Sequence, residues 1–209
     1  MTAGPATESP ATGSPAAESK VQRRREGRIA EIVATAWELA REEGVAGVSL
    51  RELARRLGMR QPSLYSYFAS KHALYDAMFA DGNRRLLARL DALDLPDDPR
   101  AAGKIRTRTF VQFSLDHPEC HTLLFTRTIP GFEPSPESYA IAQRVLDGSV
   151  ALIRAAGVTD PGDIDCMVAM IAGLMDAQLT NDPGGDRWVR HLNRLVDLYL
   201  DDALTRSSP

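Results

Sequence analysis

Cysteines, aromatic residues and long hydrophobic runs are all scarce in this 209-residue chain. The two cysteines, Cys120 and Cys166, are too few for a disulfide-stabilised fold, so we expect buried free thiols in a reducing compartment. No apolar stretch is long enough to cross a bilayer, and the N-terminus lacks the apolar core of a signal peptide. These absences predict a cytoplasmic protein with no membrane partner.

Motifs for catalysis and cofactor binding are also missing. The chain has no phosphate-binding loop, no nucleophile elbow and no cysteine with an obvious activating partner, so we expect neither enzymatic activity nor a cofactor. His117, Cys120 and His121 are close in sequence, but a fourth ligand and the usual metal-site spacing are lacking. We therefore predict no metal site and interpret His117-Pro118 as the start of a helix.

The charged residues are distributed unevenly, although the net charge is only −3. Residues 20–90 contain 14 Lys and Arg against 8 Asp and Glu, whereas residues 91–209 contain 11 against 18. A basic front segment followed by an acidic remainder indicates two functions, one of them suited to binding a polyanion.

Apolar residues recur at three- and four-residue steps through almost the whole chain after residue 20, which predicts an all-α fold. Ser49 is followed three residues later by Glu52, a capping box that starts a short helix, and Gly58 ends that helix. Pro62 suits the first turn of the next helix, and Ser70 can cap a fourth. Further helices are predicted at about 100–116, 118–126, 135–156, 162–180 and 186–205.

A helix, a short capped helix, a glycine turn and another short helix form the pattern of the helix-turn-helix DNA-binding motif. In the last of these helices, Leu64 and Phe68 are four residues apart and are expected to anchor it. The polar residues of the same segment would then face outward towards bases or phosphates: Gln61, Ser63, Tyr65, Ser66 and Tyr67. The alternative is a short helix whose tyrosines pack in a core or an interface.

Residues from about 24 to 80 resemble the DNA-binding domain of the tetracycline-repressor (TetR) family. The resemblance is carried by Gly58-x-x-Gln61-Pro62-Ser63-Leu64-Tyr65 followed by Lys71-x-Ala73-Leu74. It implies a homodimeric transcriptional regulator, expected to be a repressor, that binds a palindromic double-stranded DNA operator. It also implies a three-helix N-terminal domain joined to a larger helical domain for effector binding and dimerisation.

The resemblance also implies roles for individual residues. Arg51 falls at a guanine-reading position, Gln61 at a base-reading position, and Pro62 where a ring packs on a thymine methyl group. Phosphate or base-edge contacts are implied for Ser49, Ser63, Tyr65, Tyr67 and Lys71. Arg60 and Ser66 depart from the usual family residues, so we expect them to contribute to operator preference.

The domain boundaries follow from composition and from the resemblance. Residues 1–21, rich in Ala, Ser, Thr, Pro and Gly, predict a disordered tail. Residues 22–80 are assigned to the helix-turn-helix domain, and residues 81–209 to the effector-binding and dimerisation domain. The run Arg23–Arg25 is either an arm that follows phosphates or enters a minor groove, or a solvated charge run.

The C-terminal domain is expected to bind a small-molecule effector that releases the operator, and to dimerise through the last two helices. The pocket is predicted to involve Phe110, Phe113, His121, Phe125, Tyr139 and Met170, with Arg106, His121 or Gln143 as the polar anchor. Apolar residues in the last two helices are expected at the interface, or alternatively in an intramolecular core: Met167, Met170, Ile171, Leu174, Met175, Trp188, Leu192, Leu195, Val196 and Tyr199. An alternative function is a DNA-binding regulator whose C-terminal domain responds to a protein partner and has no ligand cavity.

Overall fold

The computed structural model describes residues 15–207, with side chains from 20 to 206, and in that range it is helical without strands. The all-α prediction is confirmed. A single 3-10 turn, Val189–His191, precedes the last helix. The nine α-helices of the described range are α1 Pro15–Glu43, α2 Leu50–Arg56, α3 Gln61–Leu64, α4 Lys71–Asp91, α5 Pro99–Asp116, α6 Pro118–Phe125, α7 Pro136–Ala155, α8 Pro161–Asn181 and α9 Leu192–Ser207.

Helix α1 begins earlier than the sequence predicts. It starts at Pro15, so residues 15–21 are helical where a disordered tail is expected. Proline suits the first turn of a helix, and the Ala, Glu and Lys residues that follow are strong helix formers, so local propensity favours the longer helix. The rest of the predicted tail, residues 1–14, lies outside the described residues.

The α2–α3 region forms as the local signals predict. Ser49 caps α2, its hydroxyl accepting a hydrogen bond from the Glu52 N–H at 3.5 Å. Gly58 then turns the chain with φ +62°, a left-handed conformation that favours glycine. Leu64 and Phe68 are buried and joined by a backbone hydrogen bond of 3.0 Å from the Phe68 N–H to the Leu64 carbonyl. The turn at Gly58 and the two buried anchors therefore determine which face of α3 is exposed.

Replacing Gly58 with alanine is expected to lower the free energy of unfolding by about 1–2 kcal/mol, because a Cβ is strained at positive φ. The matched control is Gly27→Ala in α1, an exposed helical position where an added Cβ meets no atom within 4 Å. That change should instead stabilise the protein by about 0.5–1 kcal/mol through helix propensity. Urea unfolding measures both, and equal shifts for the two variants would contradict the assignment of strain to Gly58.

One hydrophobic core joins the N-terminal helices to the rest of the chain. Helix α4 crosses the predicted domain boundary at residues 80 and 81 without a break. Its predicted anchors Leu74, Met78, Leu86 and Leu90 are all buried, which confirms their assignment. The same core extends from α1, α2 and α3 through α4 to buried residues of the body: Phe113, Cys120, Leu123 and Val145. The segment with the helix-turn-helix therefore packs directly on α4 and α6, and α4 packs in turn on α5 and α7.

A second core lies between α5, α8 and α9 within the single chain. It absorbs the apolar residues that the sequence assigns to a dimer interface, with Met167, Leu174, Met175, Leu192 and Val196 buried and Met170, Ile171, Trp188, Leu195 and Tyr199 packed against them. The five buried residues therefore belong to an intramolecular core, whereas the other five remain partly exposed, and their place in a dimer interface stays a prediction.

The two cysteines differ in environment. Cys120 is buried, and burial raises the pKa of its thiol to about 12, so it remains protonated and unreactive. Cys166 is exposed on α8, so the expectation of two buried thiols is wrong for this residue. The apolar neighbours of Cys166 in sequence belong to the opposite face of the helix. Within the described range no helix is long and apolar enough to span a membrane.

Candidate nucleic-acid interface

Helix α3 and the turn after it present a polar surface on a buried apolar anchor. Leu64 is 1% exposed and Phe68 is 8% exposed. Tyr65, by contrast, is 50% exposed, although it directly follows Leu64. The other predicted contact residues of this segment are exposed, apart from the half-buried Tyr67: Arg60, Gln61, Pro62, Ser63 and Ser66. The geometry therefore separates anchoring residues from residues that can contact a ligand, as the sequence predicts.

The arginines of this region fall into a paired and an unpaired group. Arg55 and Arg56 both bind Glu52, at 2.6 Å and 3.1 Å, and their hydrogen bonds lower the pKa of this carboxyl to about 2. The side chains of Arg51 and Arg60 are exposed and make no hydrogen bond or ion pair with any described residue. Arg51, which the resemblance places at a guanine-reading position, and Arg60 are thus the arginines of α2 and of the turn before α3 that lack an internal partner.

Ser49 and Lys71 lie at the starts of two neighbouring helices. The Lys71 ammonium donates to the Ala46 carbonyl at 3.3 Å, in the loop that leads to Ser49. It also lies 5.3 Å from the centre of the Tyr75 ring, whose hydroxyl donates to the Val45 carbonyl at 2.9 Å. These contacts hold the start of α4 beside the start of α2. Two helix N-termini and the Lys71 ammonium are thus close together, and both features favour phosphate oxygens.

Two contacts in this region were not predictable from the sequence. The Ser66 hydroxyl donates to the Ser63 carbonyl at 2.7 Å, so its oxygen remains available mainly as an acceptor. The Arg25 guanidinium lies 5.4 Å from the centre of the Tyr67 ring, a cation–π distance. Arg25 is therefore adjacent to the α3 segment, and the DNA-contacting arm stays a prediction for the Arg23–Arg25 run.

A polar cluster connects the start of α4 to the start of α7. The Asp76 carboxylate accepts hydrogen bonds from the Ser135 N–H at 2.7 Å, the Ser135 hydroxyl at 2.9 Å and the Ser138 hydroxyl at 3.0 Å. Ser135 is also the N-cap of α7. A second link joins α1 to α4, where the Trp37 indole N–H donates to Asp81 at 2.9 Å. The N-terminal segment and the body are thus joined by directional bonds as well as by the core.

The six residues predicted to form an effector pocket do not converge. Phe110 and His121 both lie 5.2 Å from the Phe125 ring and form an aromatic group with it. Phe113 is buried in the first core, and Met170 packs against the second. Tyr139 is 52% exposed near the start of α7. Helical periodicity alone could not show which of these side chains are buried or which of them lie near one another.

A cleft of about 700 Å³ lies between α5, α6 and the end of α8 with the loop that follows it. Of the six predicted residues it includes His121 alone, whose pKa is lowered by burial, so the ring is neutral at pH 7. The sequence gives no signal for the acidic residues of the cleft, since Asp116, Asp176 and Asp186 are far apart in the chain. Other residues of its wall are Gln112, Leu115, Pro118, Thr122, Thr126, Leu179, Thr180, Pro183, Gly184, Gly185 and Val189.

Comparison with known proteins agrees with this architecture. Residues 32–78 match the family described as "Bacterial regulatory proteins, tetR family". The chain is 41% identical over 64 residues to the tetracycline repressor protein class A from transposon 1721 of Escherichia coli, covering 29% of this chain and 30% of that repressor. It is 31% identical over 153 residues to the HTH-type transcriptional regulator Rv1816 of Mycobacterium tuberculosis, covering 69% of this chain and 64% of the relative.

A solved structure of similar fold is that of BioQ with its double-stranded DNA operator. It has a TM-score of 0.61 and 19% identity, and it covers 85% of this chain and 98% of BioQ. The sequence match to the tetracycline repressor lies in less than a third of that protein's length, whereas the fold match extends over most of this chain. Residues 32–78 thus match the TetR family of bacterial regulatory proteins, and the helical body that follows them is similar in fold to the BioQ structure.

Proposed function

We propose that the chain is a homodimeric transcriptional repressor that acts in the cytoplasm and inserts α3 into the major groove of a palindromic operator. The observation that carries this proposal is the exposed polar surface of α3 beside Arg51 and Arg60, two arginines without an internal partner. A bidentate arginine suits a guanine edge, and Gln61 suits an adenine edge. The DNA operator in the BioQ structure and the repressor names of the relatives support the same function.

Dimerisation is supported by apolar side chains that the second core leaves exposed. Val168 on α8 is 38% exposed and Leu198 on α9 is 56% exposed. Small residues on the exposed face of α8, including Ala172 and Gly173, would allow close approach of a second helix. A two-fold dimer would place two copies of α3 about 34–36 Å apart, the spacing of half-sites one DNA turn apart.

Release by a small-molecule effector is supported by the cleft beside α6. Its volume of about 700 Å³ is in the range of sites for small organic ligands, and this favours an effector over a partner protein that needs no cavity. Effector binding would tilt α4 and change the distance between the two recognition helices. The effector must bind the DNA-incompetent state more tightly, by about 1–3 kcal/mol for a modest response.

The test is a titration of labelled DNA from upstream of the protein's own gene, with sedimentation velocity to confirm the oligomeric state. The proposal predicts a protected, palindromic site bound by a dimer, with affinity that falls steeply as salt increases. Uniform weak binding to all fragments, or no protection by dimeric protein at any salt, would exclude an operator-binding function.

Replacing Lys71 with alanine is expected to weaken operator binding and to reduce the slope of log K against log salt by about one unit, because one phosphate contact is lost. The matched control is Arg55→Ala, which removes an exposed cation already bound to Glu52. Its salt slope should remain that of the wild type. If both variants change the slope equally, the loss reflects net charge, and Lys71 is not a phosphate contact.

A further inference from the structure

Arg106 of α5 is a buried cation without an anionic partner. It is 6% exposed, its Nε donates to the Ser149 hydroxyl at 3.1 Å, and its Nη2 donates to the Val145 carbonyl at 3.1 Å. Both acceptors are neutral, and a guanidinium carries five N–H donors. Among the described residues no carboxylate forms an ion pair with it. Because buried charges are normally paired, Arg106 has both an uncompensated charge and unused donors.

The surroundings of Arg106 form a cavity rather than a surface position. A space of about 30 Å³, partly lined by Arg106, lies between α5, α7, α8 and α9. Gly148 makes room for the side chain, since a Cβ at that position would lie 2.5 Å from Nη2. The wall combines Thr107 and Ser149 with an apolar side of Leu152, Ile153, Ala156, Met167, Val196 and Leu200. Burial lowers the pKa of Arg106, opposed in part by the charge of Asp91.

We propose that Arg106 binds a compact monovalent anion, either a halide or the carboxylate head group of a small organic acid. The volume limits the bound group to a few atoms, since one water requires about 10–15 Å³ measured in this way. One unpaired cation matches one negative charge. The other arginine at this cavity, Arg100, is already bound to Asp197 and Asp201, at 2.9 Å and 2.8 Å, so it does not compete for the anion.

The position of Arg106 also connects this site to the operator-binding segment. Its two hydrogen bonds hold α5 against α7, at Val145 and Ser149. The start of α7 is bound in turn by Asp76 of α4 through Ser135. An anion that draws the guanidinium away from the Val145 carbonyl would shift α7 relative to α4. The anion is then an effector, and this regulatory role rests on the proposed function, whereas anion binding itself does not.

Thermal melting without DNA tests the binding. Sodium bromide, acetate or butyrate is titrated at constant ionic strength with sodium gluconate, whose anion is too large for the cavity. We expect a saturable increase in Tm with bromide or with the carboxylates, reaching about 5–10 °C at a 100-fold excess over Kd. Arg106→Gln should abolish the increase, and Arg108→Gln, an exposed charge on the same helix, should retain it.

The two anion sources give different results. A response to bromide alone identifies an ion site, whereas affinity that rises from acetate to butyrate identifies an organic acid whose chain contacts Leu152 and Met167. No saturable response in the wild type, or an equal response in Arg106→Gln, would overturn the proposal. A bromide-soaked crystal gives a check that needs no variant, since an anomalous peak should lie against the guanidinium and its absence counts against the site. Operator titration is separate, so a protein that binds anions and not DNA overturns only the proposed function.

Discussion

Replacing Leu64 with alanine is expected to lower the free energy of unfolding by about 2–5 kcal/mol, the largest stability effect of any single change considered in the DNA-binding segment. Leu64 is 1% exposed and belongs to the core that extends from α1 to α7. Truncation leaves a cavity beneath α3, and neighbouring side chains can fill it only in part. Urea denaturation followed by far-UV circular dichroism measures the change.

The matched control is Tyr65→Ala, one residue further along the chain. Tyr65 is 50% exposed, so its removal should change the free energy of unfolding by no more than about 0.5 kcal/mol. Operator binding should nevertheless fall, because the exposed hydroxyl and ring would be lost from the DNA surface. If Tyr65→Ala destabilises the fold as much as Leu64→Ala, the division of α3 into anchor and contact residues is incorrect.

Replacing Asp76 with alanine is expected to have the second largest effect, a destabilisation of about 2–4 kcal/mol. The change removes three hydrogen bonds to a charged acceptor and leaves the Ser135 N–H at the start of α7 without its partner. Asp76→Asn keeps an amide oxygen that can accept some of these hydrogen bonds, so the free energy of unfolding should fall by less than in Asp76→Ala. Urea unfolding of both variants shows which change lowers the free energy of unfolding more.

The control removes a carboxylate of the same region that makes no hydrogen bonds. Glu133 is exposed in the loop before α7 and makes no ion pair or hydrogen bond with the described residues. Glu133→Ala should therefore be nearly neutral for stability. If it destabilises as much as Asp76→Ala, the effect comes from net charge, and the Asp76 cluster does not hold α7.

Local signals in the sequence predicted the N-terminal segment well. The Ser49 cap, the turn at Gly58 and the helix start near Pro62 each depend on a few neighbouring residues, and the structure contains all three, although the Glu52 carboxylate binds Arg55 and Arg56 instead of completing the capping box. The anchors of α4 were equally predictable, because a three- and four-residue apolar repeat determines which face is buried. The DNA-contacting roles of the exposed residues remain predictions that follow from the resemblance.

The features that the sequence did not predict depend on residues distant in the chain. Asp76 and Ser135 are 59 positions apart, and no local pattern shows that they meet. The pocket prediction had the same weakness, since Tyr139 and Phe125 are apolar residues at helical spacing that the fold leaves exposed. Arg106 was expected to be a polar anchor, but only packing shows that it is buried without a counter-charge.

The continuous core of α1 to α7 has a thermodynamic consequence for how such a protein would be studied. Because the recognition segment and the body share buried side chains, they are expected to unfold in one transition. A fragment that ends at residue 80 would cut through α4 and expose half of that core, so it is not expected to fold alone. Any compound bound anywhere in the body would then also raise the melting temperature of the recognition helix, and bound DNA would protect the far end of the chain from proteolysis in return.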